Sequence, residues 1–275
     1  MKQFNNFGAK RSLGQNFLTD KNVAHKIVDA GDVHADDTVL EIGPGKGVLT
    51  SWLVALAGKV IAVEKDDALF EALRIAFADA IAQGRLDLIH GDILNFDPTV
   101  YHLPSTKWKL IANIPYNITG AILEKFLSSV AQPEQMVLLV QKEVAERVVA
   151  RDHKESLLSI SVKVYGTPKV VAKVSAGSFF PRPKVDSAVL VVDNISHSFF
   201  LKHDIEERSF FAFLHAGFAH KRKLLGSNLK EYFPSQELWL KAARACALNE
   251  KSRAENLSAE NWRDLFLASL KHGSL

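Results

Sequence analysis

Glu41-Ile42-Gly43-Pro44-Gly45-Lys46-Gly47 follows the apolar run Thr38-Val39-Leu40 and precedes Val48-Leu49-Thr50-Ser51-Trp52-Leu53. A β-rich run, a glycine-dense turn and a helix-compatible segment predict a strand, a tight turn and a helix. Glycines there let the backbone take positive φ and lie close to a ligand. The turn is not a P-loop, because Lys46 is followed by Gly47 and not by Ser or Thr. It also departs from the dinucleotide fingerprint G-x-G-x-x-G, because position 48 is Val.

Outward from this turn, short buried-type runs alternate with helical stretches. Residues 38–42, 59–64, 86–90, 109–113 and 135–141 read as strands, nearly continuous in hydrophobicity, as in a parallel sheet covered on both faces. Residues 47–57, 66–83, 119–130 and 142–150 read as the intervening helices. The alternation predicts a mostly parallel, doubly wound α/β sheet. Residues 169–176 and 187–193 read as a further strand pair around a Pro-rich segment, giving the sheet an antiparallel end. Beyond 194–198, read as a linker, residues 209–219, 221–232, 235–247 and 258–270 read as helices without strands. The expected organisation is an N-terminal basic arm (1–25), a catalytic domain (26–194) and a small all-α C-terminal domain (199–275).

Three carboxylates or glycines fall at successive strand ends. Glu64 lies 21 residues after Gly43 and can accept hydrogen bonds from the two hydroxyls of a ribose. Asp92, after the third strand, can meet an adenine amino group, or simply cap a turn. Asn113-Ile114-Pro115-Tyr116 follows the fourth strand. The Asn113 side-chain oxygen and the Ile114 carbonyl can bind both hydrogens of a planar exocyclic amine. Pro115 stiffens the turn, and Tyr116 offers a flat face for a base. The pairing of a non-phosphate nucleoside site with an amine-holding turn suggests methyl transfer from S-adenosylmethionine. Ser178-Phe179-Phe180-Pro181-Arg182-Pro183-Lys184-Val185-Asp186 supplies a second candidate, with one of its two aromatic rings placed opposite Tyr116 to sandwich a flipped base and Arg182 and Lys184 to meet phosphate.

Composition narrows the class. The 275 residues carry a net charge of +3 and a single cysteine, Cys246, which excludes an internal disulfide and a cysteine zinc site. No run is long enough for a membrane span, and the start has no secretory signal. A reducing cytosol is the expected compartment, and no metal is expected. Residues 1–25 hold four bases and one acid, residues 26–141 nine and fifteen, and residues 142–187 nine and five. An acidic middle between basic flanks hints at a polyanionic partner.

These residues together are similar to the ribosomal RNA adenine dimethyltransferases, and most of all to the small-subunit (16S) branch whose loss gives kasugamycin resistance. The resemblance covers essentially the whole chain. It rests on Leu13-Gly14-Gln15-Asn16-Phe17-Leu18, the 41–47 turn, Glu64, Gly91-Asp92, Asn113 through Asn117, 179–187 and Lys221-Arg222-Lys223 opening a C-terminal helix. It implies a Rossmann-like class I methyltransferase with S-adenosyl-L-methionine as cofactor. It assigns Asn16, Leu18, Gly43, Gly45, Glu64, Asp92 and Asn113 to that cofactor. Asn113, Ile114, Pro115, Tyr116 and Phe179 fall to the target adenine. Lys10, Arg11, Arg182, Lys184, Lys221, Arg222 and Lys223 fall to RNA. The implied substrate is a pair of adjacent adenines in the 3′-terminal hairpin loop of 16S rRNA, met in the assembling 30S subunit, with the enzyme a cytoplasmic monomer. Two alternatives remain at this point: a large-subunit rRNA methyltransferase of the macrolide-resistance type, and a catalytically silent RNA-binding assembly factor. The chain departs from the family pattern at the 220–225 run and at Phe180, where a polar residue is common.

Overall fold

A computed structural model describes residues 8–10, 13–101, 103 and 107–271. The chain divides into two compact units, one of residues 1–145 and 166–196, the other of 146–165 and 197–275.

The first unit is built on seven strands. They are β2 (Thr38–Ile42), β3 (Lys59–Glu64), β4 (Leu86–His90), β5 (Trp108–Asn113), β6 (Gln135–Gln141), β7 (Thr167–Val174) and β9 (Ser187–Asp193). Their order is β4-β3-β2-β5-β6-β9-β7, and the five strands from β4 to β6 run parallel. β9 pairs antiparallel with both β6 and β7, so the expected antiparallel end is present. Both faces of the central strands are covered, which is why they read as unbroken apolar runs. On one face Val39, Val60, Ile111, Val137 and Val191 pack under α1 (Lys21–Ala30) and α2 (Val48–Leu56). Chain order reverses between β2 and β5, and in such sheets ligands bind outside the strand C-termini at that point.

Four local differences from the sequence reading have physical causes. α1 is an additional helix, capped by Asp20, whose Oδ1 accepts the Asn22 N–H at 2.9 Å. The helix expected over 66–83 is broken into α3 (Asp67–Ala76) and α4 (Ala78–Ala82) at Phe77. A Cβ at Gly47 would sit 2.6 Å from that ring, so Phe77 fills the space a side chain would need. The third helix, α5 (Thr119–Leu127), stops earlier than 130. A two-stranded ribbon, β1 (Phe17–Leu18) with β8 (Phe179–Phe180), joins the arm to the Pro-rich segment.

The second unit is helical. It starts within α6 (Lys142–Val148) and holds α7 (Leu157–Lys163), a helix the sequence reading did not assign. The catalytic domain expected over 26–194 therefore gives up 146–165 to this unit. The cause is visible in two hydrogen bonds: Tyr165 donates to Glu207, and the Glu155 N–H donates to Glu255 O at 2.9 Å. α8 (Ser198–Leu201), α9 (Glu207–Phe218), α10 (Leu225–Asn228), α11 (Gln236–Ala245) and α12 (Ala259–Leu270) complete it. Its core is aromatic, with Phe210 edge-on to Phe266 and Phe213 edge-on to Trp262. Gly217 lets the Trp262 ring approach; a Cβ there would lie 2.2 Å from it. The helix expected over 221–232 is only the single turn of α10. Lys221, Arg222 and Lys223 stand exposed in the turn before it. Asn228 Nδ2 holds that turn by donating to Gly217 O at 2.7 Å and His220 O at 3.2 Å.

Candidate active site

A cleft of about 1180 Å³, part of it open solvent, lies at the C-terminal edge of β2, β3 and β5. Its wall joins the arm (13–18), the glycine turn, the end of β3, the turn after β4, and residues 113–118. It therefore unites Asn16, Leu18, Gly43, Gly45, Glu64, Asp92, Asn113, Ile114, Pro115 and Tyr116.

The glycine turn is held open. Gly43 has φ +61°, and a Cβ there would meet nothing within 4 Å. Gly43 N–H donates to Val63 O at 2.9 Å, tying the turn to β3. Glu64 ties it further: Oε2 accepts the Gly45 N–H at 3.0 Å and Oε1 the Asp66 N–H at 2.9 Å. Burial raises the Glu64 carboxyl above the usual range, against these two bonds. Behind the turn, Glu41 is 1% exposed and its Oε2 has no hydrogen-bond partner. Burial pushes its carboxyl up to about 8, with Thr50 opposing and Glu64 adding.

Asp92 serves two ends at once. Oδ1 accepts the Leu94 N–H at 3.0 Å, and Oδ2 meets Lys65 Nζ at 2.8 Å. Lys65 first, then Leu94, holds this carboxyl below its ordinary value. A carboxylate has about four acceptor sites, so room is left for an amine. The side chain is both the turn cap and a wall of the cleft.

Asn113 ends β5, and its Nδ2 donates to Asn16 O at 3.2 Å. That bond commits the amide nitrogen to the arm and leaves Oδ1 as an acceptor. Pro115, at φ −58° and ψ 131°, turns the chain, and its carbonyl accepts the Ile118 N–H at 3.2 Å. The Tyr116 hydroxyl lies 2.7 Å from Ser187 Oγ at the start of β9. Burial raises this phenol, and the Ser187 bond opposes the shift. Its ring is thus fixed at both ends.

The arm folds over the glycine turn. A Cβ at Gly45 would lie 3.2 Å from the Phe17 ring, and Lys46 Nζ sits 5.1 Å from that ring's centroid. Lys10 Nζ pairs with Asp66 Oδ2 at 2.8 Å, and Gln15 Nε2 reaches the same oxygen at 3.3 Å. Lys10, expected on RNA, is in this structure a tether of the arm to the start of α3.

Other expected residues lie elsewhere. Phe179 is not on the cleft wall. It is 4% exposed and packs with Leu18 and Val174 in the core. The reason is strand alternation: β8 turns Phe179 inward and Phe180 outward. Arg182 and Lys184 are exposed and make no ion pair among the described residues. Arg11 lies outside the described residues. Glu41, Lys46, Lys65, Asp66 and Ser187 are contributors that the sequence reading missed. Lys46 had a signal in its place inside the glycine turn. Glu41, at the start of that turn, had the same signal, whereas Lys65, Asp66 and Ser187 act through partners distant in sequence.

Residues 6–270 match the family described as ribosomal RNA adenine dimethylase. The chain belongs to that family. Among curated relatives, a ribosomal RNA small subunit methyltransferase A of Dehalococcoides mccartyi (strain BAV1) is 40% identical over 94% of this chain and 88% of its own length. The protein of the same description in Lactobacillus helveticus is 38% identical over 94% of this chain and 90% of its own. Among solved structures, a dimethyladenosine transferase from Plasmodium falciparum superposes with a TM-score of 0.76 at 26% identity, covering 93% of this chain and 98% of that one. The 23S rRNA methyltransferase ErmE superposes at 0.74 with 24% identity, over 92% and 99%, a likeness of fold. The fold is the Rossmann-like class I methyltransferase arrangement, and the family makes the chain an rRNA adenine dimethyltransferase.

Proposed function

We propose that this protein transfers methyl groups from S-adenosyl-L-methionine to the exocyclic amines of two adjacent adenines in the 3′-terminal hairpin loop of 16S rRNA, acting on the assembling 30S subunit. The observation that carries the reading is the convergence of the glycine turn, Glu64, Asp92 and Asn113 on one cleft at the point where sheet order reverses. The small-subunit substrate draws support from the names of the curated relatives.

The residues fit an adenosyl amino acid. Glu64 presents a carboxylate to ribose hydroxyls, and Asp92 an acceptor to the adenine amine. The open space at Gly43 and the unpartnered Glu41 Oε2 leave room and polarity for the amino-acid tail. Asn16 and Leu18 close the arm side. When bound, the cofactor supplies an electrophilic methyl on a sulfonium.

The chain's task is to present the nucleophile. An adenine amine is a weak one, because its lone pair is delocalised into the ring. Asn113 Oδ1 and the Ile114 carbonyl accept its two hydrogens and favour pyramidalisation. Pro115 keeps the carbonyl aimed, and the fixed Tyr116 ring supports the base. Alignment and electrostatics supply the rate, with no strong base required. Because Glu64 and Asp92 are buried or engaged, the carboxylates near the amine act as binding groups. Arg182, Lys184, Lys221, Arg222 and Lys223 are the exposed cations offered to RNA phosphate.

The test is mass spectrometry of rRNA fragments after reaction of unmethylated small subunits with labelled cofactor. The expected product is two adjacent dimethyladenosines in the 3′-terminal loop. Label in large-subunit RNA, or none, would refute the assignment.

A further inference from the structure

One side chain near the cleft has no part in the methyl transfer just described. Phe180 is 65% exposed, the most exposed aromatic ring among the described residues, on a segment otherwise built for rigidity.

The ribbon fixes where that ring stands. Phe180 pairs with Phe17, and Phe179 with Leu18. Directly opposed residues of a strand pair share a face. Leu18 and Phe179 therefore share one face and Phe17 and Phe180 the other, and the two arm residues, Phe17 and Leu18, both line the cleft. Phe180 is not itself on that wall. Its strand partner Phe17 is, so the Phe180 backbone lies about 5 Å from a residue of the wall.

The loop that follows is tied at its near end to the arm and at its far end to Tyr116 of the cleft wall. Before it, Ser178 O accepts from the Thr19 N–H at 2.9 Å and from Thr19 Oγ1 at 3.0 Å. After it, Ser187 Oγ bonds the Tyr116 hydroxyl, and Asp186 Oδ1 accepts the Ala176 N–H at 3.0 Å. A chain reaches at most about 3.5 Å per residue. Arg182 is two residues beyond Phe180 and Lys184 three before Ser187. Lys184 thus stays within about 10 Å of Ser187, and Arg182 within about 14 Å of Ser178, backbone to backbone. An exposed ring and two exposed cations without ion pairs among the described residues thus sit on a segment tied to the cleft wall.

We propose that Phe180 stacks on the base next to the target adenine while Arg182 and Lys184 hold the phosphates between the two. This rests on the proposed function and adds to it a site for the flanking nucleotide. The target's amine must reach Asn113 and Ile114 inside the cleft, so a ring outside the wall meets a neighbour and not the target. Stacking on an aromatic face beside paired cations is how single-stranded nucleic acid is held. With two adjacent target adenines, the ring would grip each one while the other is in the cleft. Phe180 is then a substrate-positioning residue.

The test compares native protein with Phe180→Ala, Phe180→Leu and Phe180→Trp on unmethylated small subunits. Expected is a roughly tenfold rise in KM for Ala and for Leu, with kcat and cofactor affinity by calorimetry unchanged, and near-native KM for Trp. Leu keeps apolar bulk without a π-face, so a native KM in Phe180→Leu overturns the stacking. A native KM in Phe180→Ala overturns the site. So does a dimer of the native protein that Phe180→Ala dissociates without any change in RNA kinetics. A photoreactive aromatic amino acid at position 180 should crosslink to the nucleotide flanking the target. A crosslink elsewhere, or none to RNA, contradicts the proposal. Crosslinking needs binding alone. If the native protein transferred no methyl yet crosslinked there, the catalytic reading would fall and this one would stand.

Discussion

In the proposed mechanism Asn113 holds the amine, and its two ends are differently engaged. Nδ2 donates to Asn16 O, so the amide cannot rotate without losing the arm, and Oδ1 is left as an acceptor. Asn113→Ala should lower kcat by about 100-fold or more, the loss expected for one preorganised polar group, with an unchanged thermal midpoint. Native turnover in that variant would remove the amine-holding step. Glu41 makes a separate prediction. Its folded value of about 8 lies above the ordinary carboxylate value of 4.5. The native state therefore binds more protons than the unfolded chain between those limits, and stability falls as pH rises from about 4.5 to about 8. Glu41→Gln should flatten the fall of Tm between pH 5 and pH 8. An identical slope in the variant would show that Glu41 does not titrate there. At this scale the sequence is legible where a residue's place follows from its strand end, as for Glu64 and Asn113, which both reach the cleft. It is silent for Asp66, whose partner Lys10 is far along the chain, so the pairing of Lys10 with it is not readable.

Elements follow from pattern where burial is two-sided. β2, β3 and β6 have the expected bounds, because a strand covered on both faces must be apolar throughout; β4, an edge strand with only Leu86 buried, also has them. The failures are equally physical. The basic run at 221–223 resembles a helix start, but residues 219–224 form a turn that Asn228 ties down. The ribbon of β1 and β8 comprises only two residues per strand, too short for any alternation to show. One buried link holds β5 to the turn after α1: Lys109 Nζ lies 2.8 Å from Asp37 Oδ2 and 2.7 Å from Asp32 O. Both side chains of the ion pair are about a tenth exposed. Removing one partner of a buried pair leaves an uncompensated charge, so Lys109→Ala should cost about 3 kcal/mol in urea unfolding. A loss within about 0.5 kcal/mol, the range of ordinary surface changes, would show that the pair is structurally idle.

For the whole molecule, the uneven charge visible in the sequence has a structural counterpart. The cations at 182, 184 and 221–223 are exposed and free of ion pairs among the described residues, whereas Lys10, Lys59, Lys65 and Lys109 are each paired. Each cation withdrawn from a phosphate should reduce the salt slope of binding by about 0.7–0.9. Replacing Lys221, Arg222 and Lys223 with Ala should therefore lower the slope for small subunits by about 2 and leave cofactor affinity intact. An unchanged slope would mean that RNA is held by other residues. The family is readable because its motifs sit at the rim of one sheet, while the division of the chain is not, because α7 leaves the sheet's neighbourhood to join helices far downstream. All of these functional expectations depend on an adenine amine coming to rest between Asn113 and Ile114. The direct measurement is a structure of the protein with demethylated cofactor and an adenine-containing fragment of the 3′-terminal loop. The account predicts the exocyclic nitrogen within about 3 Å of both Asn113 Oδ1 and the Ile114 carbonyl oxygen, over the Tyr116 ring. An adenine bound with its amine turned away from those two oxygens would contradict it.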